Sequence, residues 1–143
     1  MKTRICFLLF MGMISAEKIV GQTNNASIEV ASIEKGEGEI YIALFKPESK
    51  FPQAGHQFAG KIIPVSSRKS VIAEFNLPAG EYAVALFQDL NGNKKLDTNF
   101  FGIPKEPYAF SNNIKPKFSA PKFEDCKFRI ATTKVNLRVD LIN

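Results

Sequence analysis

The 143-residue chain has no tryptophan, one histidine and two cysteines, and each scarcity limits the chemistry that it can carry out. His56 is the sole imidazole, and no serine or cysteine lies in a recognisable nucleophile motif, so neither a Ser-His-Asp nor a Cys-His arrangement is indicated. A zinc site would need carboxylate ligands, and no spacing of ligand residues favours one. The sequence therefore predicts a protein that is not an enzyme.

The chain also lacks a strong charge of one sign. Its formal net charge is +5, and removal of residues 1–16, which include Lys2 and Arg4, lowers this value to +3. No run of five or more lysines and arginines occurs, whereas a nucleic-acid partner calls for a basic run or patch. We therefore expect no nucleic-acid partner.

The apolar run near the start of the chain is too short to cross a bilayer, which takes about 20 residues. This run, Ile5–Ala16, follows two basic residues and has the length of the apolar region of a secretory signal. We therefore predict a signal peptide over residues 1–22, with cleavage after Ala16 or near Gln22, and a mature domain over residues 23–143. The same pattern predicts export to the periplasm or outside the cell, with no membrane span.

Cleavage would remove Cys6 and leave Cys126 as the single thiol, so the mature chain is predicted to have no internal disulfide. Cys126 stands between two phenylalanines and is interpreted as a small buried hydrophobe. Thirteen phenylalanines are spread along the chain and are expected to pack in the core. The stability of the domain is therefore expected to come from apolar packing.

Alternation of polar and apolar residues indicates strands in most of the mature chain. In residues 135–141 every second residue is apolar, which is the period of a half-buried strand. In residues 40–45 both faces are apolar, as in a central strand. About seven such segments predict an all-β fold, a single β-sandwich of immunoglobulin-like or prealbumin-like type with one long polar-aromatic loop. One short turn of helix is predicted over Pro121–Cys126.

One loop carries an unusual set of side chains with oxygen atoms. They occur at the first, third, fifth and ninth positions of the loop, which are Asp89, Asn91, Asn93 and Asp97. Calcium prefers about six to eight oxygen ligands in flexible geometry, and alternate residues of a curled loop can point inward. The spacing therefore predicts a weak calcium site, with calcium as the expected cofactor.

The same residues also fit a loop without a metal. Phe100 stands where an EF-hand carries its glutamate, and Lys94 and Lys95 add positive charge. Aspartate and asparagine side chains commonly accept hydrogen bonds from the backbone of their own turn. Residues Asp89–Asp97 are therefore expected to form either a weak calcium site or a self-bonded turn.

The segment after this loop is rich in aromatic residues, namely Phe100, Phe101, Tyr108 and Phe110. These side chains either form an exposed platform for a partner or fold inward and attach the long loop to the core. Glu106 lies in the same segment and could pair with Asp97. Such a carboxylate pair would make the protein a hydrolase.

Three stretches of the chain, taken together, resemble one bacterial family. They are Leu77–Asp97, Phe101–Glu106 and Phe110–Asn113. They resemble the family called domain of unknown function 2141, over roughly residues 26–142. Its members look like exported proteins without an established activity, so the resemblance implies export and an uncharacterised role. At the position where members commonly carry glycine, this chain has Lys94.

The sequence therefore favours an exported, non-enzymatic binding or accessory domain that serves an unknown protein or glycan partner. A glycan- or peptide-directed hydrolase that uses loop carboxylates is the alternative, and a loop that only caps one end of the sandwich is a third reading. A binding loop needs Asp89 and Asp97 turned inward toward each other, whereas a hydrolytic pair must line an open cleft.

Overall fold

The computed structural model describes residues 25–143, so the predicted signal peptide over residues 1–22 lies outside the described residues. The described chain forms eight strands, one α-helix and one turn of 3-10 helix. The strands are β1 (Ala26–Ala31), β2 (Glu39–Phe45), β3 (Ala59–Pro64), β4 (Val71–Phe75), β5 (Gly80–Asp89), β6 (Tyr108–Phe110), β7 (Phe128–Ile130) and β8 (Val135–Asp140). The helices are the 3-10 turn Ser111–Asn113 and α1 (Phe123–Cys126).

The strands form two sheets. The smaller sheet has the order β4-β1-β8, in which β1 pairs antiparallel with β4 and parallel with β8. The larger sheet has the order β3-β2-β5-β6, and β7 pairs with the first residues of β5. The ladder between β2 and β5 runs from Glu39 opposite Asp89 to Phe45 opposite Ala83. The predicted all-β, sandwich-like fold is confirmed.

The core lies between the two sheets and follows the period of two along each strand. Ile28 and Val30 of β1 and Ile40, Ile42 and Leu44 of β2 are buried and belong to one cluster. Successive side chains of a strand point to opposite faces, so their neighbours along β2 face away from this core. The smaller sheet therefore covers only one face of the larger sheet.

The reversal before β5 is held by Tyr82. Its side chain is fully buried, and its hydroxyl donates to the carbonyl of Pro78 at 2.8 Å. A buried phenol needs such an acceptor, because an unsatisfied hydroxyl would lose its hydrogen bonds to water. The Pro78–Gly80 turn is thus tied to the core at the point where β5 begins.

A second, smaller apolar cluster covers one end of the outer face of the larger sheet. Ala83, Phe110 and Cys126 are buried there, and Phe51 and Phe123 pack against them. The short helix expected over Pro121–Cys126 is confirmed as α1, and it places Cys126 at this position. The interpretation of Cys126 as a buried hydrophobe is confirmed as well.

Strand β6 lies within the segment that the sequence assigned to a long loop. Its three residues pair with residues 85–87 of β5. Strand β5 is ten residues long and leaves an unpaired edge beyond β7, and β6 satisfies part of that edge. No helix within residues 25–143 has both the length and the apolar character needed to cross a membrane.

Candidate functional site

The Asp/Asn loop begins with a buried carboxylate at the end of β5. The Asp89 side chain accepts two backbone N–H groups, that of Gly92 on Oδ1 at 2.8 Å and that of Lys94 on Oδ2 at 2.8 Å. Only 1% of Asp89 is exposed. Hydrogen bonds from fixed N–H groups compensate a buried carboxylate for lost hydration. Both oxygens of Asp89 therefore serve the backbone of the loop.

Asn91 and Asn93 form two consecutive Asx turns. The Oδ1 atom of Asn91 accepts the N–H of Asn93 at 3.1 Å, and the Oδ1 atom of Asn93 accepts the N–H of Lys95 at 3.0 Å. These contacts direct the NH₂ groups of both asparagines toward Asp97. The Asn93 amide donates to both carboxylate oxygens of Asp97, at 2.9 and 3.0 Å, and the Asn91 amide donates to Oδ2.

The structure thus brings the four predicted ligand residues together in one self-bonded loop. The oxygens of Asn91 and Asn93 face backbone N–H groups, and their NH₂ groups occupy the acceptor sites of Asp97. Calcium would bind oxygens only, so its entry requires both amide groups to rotate. Within residues 25–143 no group of three or more histidines, cysteines or carboxylates is placed to hold a metal ion. The calcium site stays a prediction that rests on the four oxygen-bearing side chains.

Glu106 closes the loop from outside. Its Oε1 accepts the N–H of Leu90 at 2.9 Å, and its Oε2 accepts the N–H of Asp97 at 3.1 Å. The residue is only 7% exposed. One carboxylate therefore joins the first and last turns of the loop. The sequence suggested Glu106 as a partner of Asp97 in a hydrolytic pair; it contains no local signal for the role of Glu106 in joining the two ends of the loop.

Lys94 adopts the left-handed backbone conformation, with φ of 65°. L-residues other than glycine adopt it at a cost of about 1–2 kcal/mol. The Asp89 carboxylate holds this conformation by accepting the Lys94 N–H. The family resemblance predicts glycine at this position, and the backbone conformation gives the physical reason.

The four aromatic residues of the long loop divide into two groups. Phe110 is buried and Tyr108 is half-buried, whereas Phe100 and Phe101 are 98% and 83% exposed. The two exposed rings contact each other edge to face at 5.5 Å. Two of the four aromatic side chains therefore fold inward and attach the loop to the core, and the other two are exposed; a platform for a partner stays a prediction.

The outer face of the larger sheet forms an apolar groove of about 940 Å³. Its floor consists of the half-buried side chains that alternate with core residues along β2 and β5, namely Tyr41, Ala43, Ala85 and Phe87. The rings of Tyr41 and Phe87 stack with centroids 5.1 Å apart and planes 17° from parallel. Sequence reasoning missed this groove, although the apolar residues on both faces of β2 were the available signal.

The Asp/Asn loop forms one end of the groove through Lys94, Lys95 and Leu96. Lys61 also borders the groove, but its Nζ lies 5.2 Å from the centroid of Phe75, which belongs to the core between the sheets. The positive charge at the loop end of the groove therefore comes from Lys94 and Lys95.

The phenol of Tyr41 lies beside carboxylates at this end. Loss of hydration raises the pKa of Tyr41, and the charges of Glu39 and Asp89 raise it further. Glu39 also accepts a hydrogen bond from the Tyr41 hydroxyl at 3.4 Å. Tyr41 therefore contributes a neutral ring and a hydroxyl to the groove at physiological pH.

Two sheets around one core, with a self-bonded Asp/Asn loop beside an apolar groove, define a small all-β domain of the sandwich-like class. The chain belongs to the family described as "Uncharacterized protein conserved in bacteria (DUF2141)", whose model matches residues 28–138. No match was found among curated proteins or among solved structures. The family predicted from the sequence is confirmed, and its match includes the loop, the groove and Glu106.

Proposed function

We propose that this chain is an exported, non-enzymatic binding domain whose ligand surface is the groove on the outer face of the larger sheet. The groove itself is the observation that carries the proposal. Its volume of about 940 Å³ lies near the upper end of the range for ligand sites, which is about 300–1,000 Å³. An aromatic and aliphatic floor suits an apolar or aromatic part of a protein or glycan-bearing partner.

The hydrogen bonds that the three loop carboxylates accept favour a binding role over hydrolysis. Asp89, Asp97 and Glu106 each accept hydrogen bonds from the loop itself. A general acid or base must reach the proton that it transfers, directly or through one water molecule. A hydrolase built on Glu106 and Asp97 would have to break the contacts that shape its own loop. The carboxylates are better suited to hold the groove wall than to act on a substrate.

The Asp/Asn loop supports this function by positioning Lys94, Lys95 and Leu96 at the end of the groove. Pre-organised side chains lose less conformational entropy when a ligand binds. In this proposal calcium binds weakly at Asp89, Asn91, Asn93 and Asp97 and supports the wall of the groove.

Export follows from the signal predicted over residues 1–22. The buried thiol of Cys126, the one cysteine within residues 25–143, is compatible with an oxidising compartment because burial shields it from oxidants. The proposed site of action is the periplasm or the outside of the cell.

The groove can be tested with Nile red, an uncharged dye that fluoresces in apolar surroundings. We expect the mature protein to bind the dye, and Ala85→Trp to weaken binding at least about tenfold because the indole fills the floor. Ile72→Trp is the matched control, since Ile72 is 59% exposed on the other sheet. Thermal unfolding of each variant confirms that it is folded. Equal dye binding by wild type and Ala85→Trp would contradict the proposal.

Calcium is tested separately, by calorimetric titration into the chelator-treated mature protein. Weak binding predicts heat and a raised melting temperature at millimolar calcium, both lost in Asn93→Ala. The absence of heat and of any thermal shift in the wild type would remove calcium from the proposal. The groove would be unaffected.

A further inference from the structure

Residues 98–104 form a short turn that projects from the Asp/Asn loop. Thr98 and Pro104 pair as an isolated bridge. Inside it the N–H of Asn99 donates to the carbonyl of Ile103 at 2.8 Å, and the N–H of Gly102 donates to the carbonyl of Asn99 at 3.0 Å. The turn is therefore closed by backbone hydrogen bonds at its base.

The side chain of Asn99 fixes the same turn from within. Its Oδ1 atom accepts the N–H of Phe101 at 2.9 Å and the N–H of Ile103 at 3.0 Å. Phe101, Gly102 and Ile103 thus each form a hydrogen bond with Asn99. The side chains at the tip are presented by an ordered backbone, so their burial by a partner costs little additional ordering.

Three large apolar side chains occupy this tip. Phe100, Phe101 and Ile103 are 98%, 83% and 58% exposed. Apart from the edge contact between the two rings, these side chains pack against little of their own chain, so the tip protrudes. Adjacent exposed apolar side chains mark a surface that another molecule covers, because leaving them in water is unfavourable. Phe118 is equally exposed, but it lies in a different segment and contacts no aromatic ring of the described residues.

Three lysines and three carboxylates lie near the tip in the chain, and only the lysines are exposed. Lys94, Lys95 and Lys105 are exposed residues that flank it in the chain, and none of them forms an ion pair with another described residue. The nearby carboxylates of Asp89, Asp97 and Glu106 accept hydrogen bonds from the loop, as described above. The lysines are therefore available to anionic groups outside the protein.

We propose that the tip Phe100–Ile103 inserts into the surface of an anionic lipid bilayer, with the flanking lysines on the lipid phosphates. A protein partner would need a cavity that matches a protruding tip, whereas a bilayer accommodates protruding apolar side chains at the boundary between headgroups and acyl chains. Apolar insertion and lysine–phosphate attraction add to each other in surface binding. The inference shares Lys94 and Lys95 with the end of the groove, but its apolar residues Phe100–Ile103 do not line the groove, so it does not rest on the proposed function.

Vesicle sedimentation tests the proposal with the mature protein. We expect binding to vesicles of equal parts phosphatidylglycerol and phosphatidylcholine, and much weaker binding to pure phosphatidylcholine. Phe100→Ser with Phe101→Ser should reduce binding at least about tenfold through the lost apolar insertion. Lys94→Glu with Lys105→Glu should reduce binding to the anionic vesicles, and high salt should have the same effect on the wild type.

Phe118→Ser is the matched control, because it removes an equally exposed ring from another segment. It should bind the anionic vesicles within about twofold of the wild type. Lack of binding by the wild type, unchanged binding by the double phenylalanine variant, or an equal loss in Phe118→Ser would each overturn the proposal. A dimer that is lost in the double variant, without vesicle binding, would assign the tip to contacts between two copies instead.

Discussion

A side chain at Gly38 would overlap the carbonyl oxygen of Asp89. Gly38 precedes β2 and has φ of 74°, a conformation that L side chains rarely adopt. The next residue, Glu39, pairs with Asp89 in the ladder between β2 and β5. The close approach of these two residues therefore fixes the point at which the Asp/Asn loop leaves the larger sheet.

Gly38→Ala should be among the most destabilising single substitutions outside the core. We expect a loss of about 2–4 kcal/mol in the free energy of unfolding, because left-handed strain and a backbone overlap add together. Gly55→Ala is the control, since Gly55 has φ of 85° but nothing within 4 Å of the added methyl group. Urea denaturation should give a loss of only about 1–2 kcal/mol for Gly55→Ala. Equal losses would show that the contact with Asp89 is unimportant.

Asp89→Ala should destabilise the protein in metal-free buffer. The substitution leaves the N–H groups of Gly92 and Lys94 without their acceptor, which costs about 1–3 kcal/mol. Glu34→Ala, at an exposed position in the turn before β2, should change stability by less than about 0.5 kcal/mol. Denaturation with chelator present separates this effect from calcium, and an unchanged stability would contradict the self-bonded loop.

Glu106→Gln tests the contact that joins the two ends of the loop. The substitution replaces one of the two Glu106 carboxylate oxygens with an NH₂ group. That group then faces the backbone N–H of Leu90 or Asp97, so two donors meet. We expect a loss of about 1–3 kcal/mol, measured by urea denaturation, although the shape of the side chain is conserved. Glu48→Gln, an exposed residue in the loop before β3, is the control. If the two variants are equally stable, Glu106 is not a structural clamp.

Lys94→Gly should stabilise the protein. Glycine removes the left-handed strain of about 1–2 kcal/mol. It also raises the conformational entropy of the unfolded chain, which lowers the stability by about 0.4–1 kcal/mol. The net gain should be about 0.5–1 kcal/mol in the free energy of unfolding. Lys95→Gly, at a neighbour without positive φ, should instead lower stability slightly. A loss of stability in both variants would mean that Lys94 is not strained.

The thiol of Cys126 should be inert in the folded protein. Burial, with a smaller contribution from the Asp125 carboxylate, raises the pKa of Cys126 from 9.0 to about 11. At pH 8 the thiolate, which is the reactive form, is therefore about 100-fold scarcer than for an ordinary cysteine. Ellman's reagent should react with it only on unfolding. Phe118→Cys in a Cys126→Ala background should react at once, and fast reaction of native Cys126 would contradict the burial.

Much of the fold could be predicted because it depends on short-range patterns. Alternation predicted the half-buried strand β8, the apolar residues on both faces predicted β2 as a central strand, and one turn of helix was predicted over Pro121–Cys126. Strand β6 was not predicted, since three residues carry too little periodicity to be distinguished from a loop.

The sequence by itself determined the chemistry of the Asp/Asn loop. Its side-chain-to-backbone hydrogen bonds join residues two to five positions apart, so the residue types at those spacings are enough to build them. Tertiary structure decided what surrounds the loop. Glu106 reaches Leu90 across sixteen positions, and the same aromatic-rich segment sends Phe110 inward and Phe100 outward. Burial depends on which distant strand packs against a residue, and the local sequence does not contain that information.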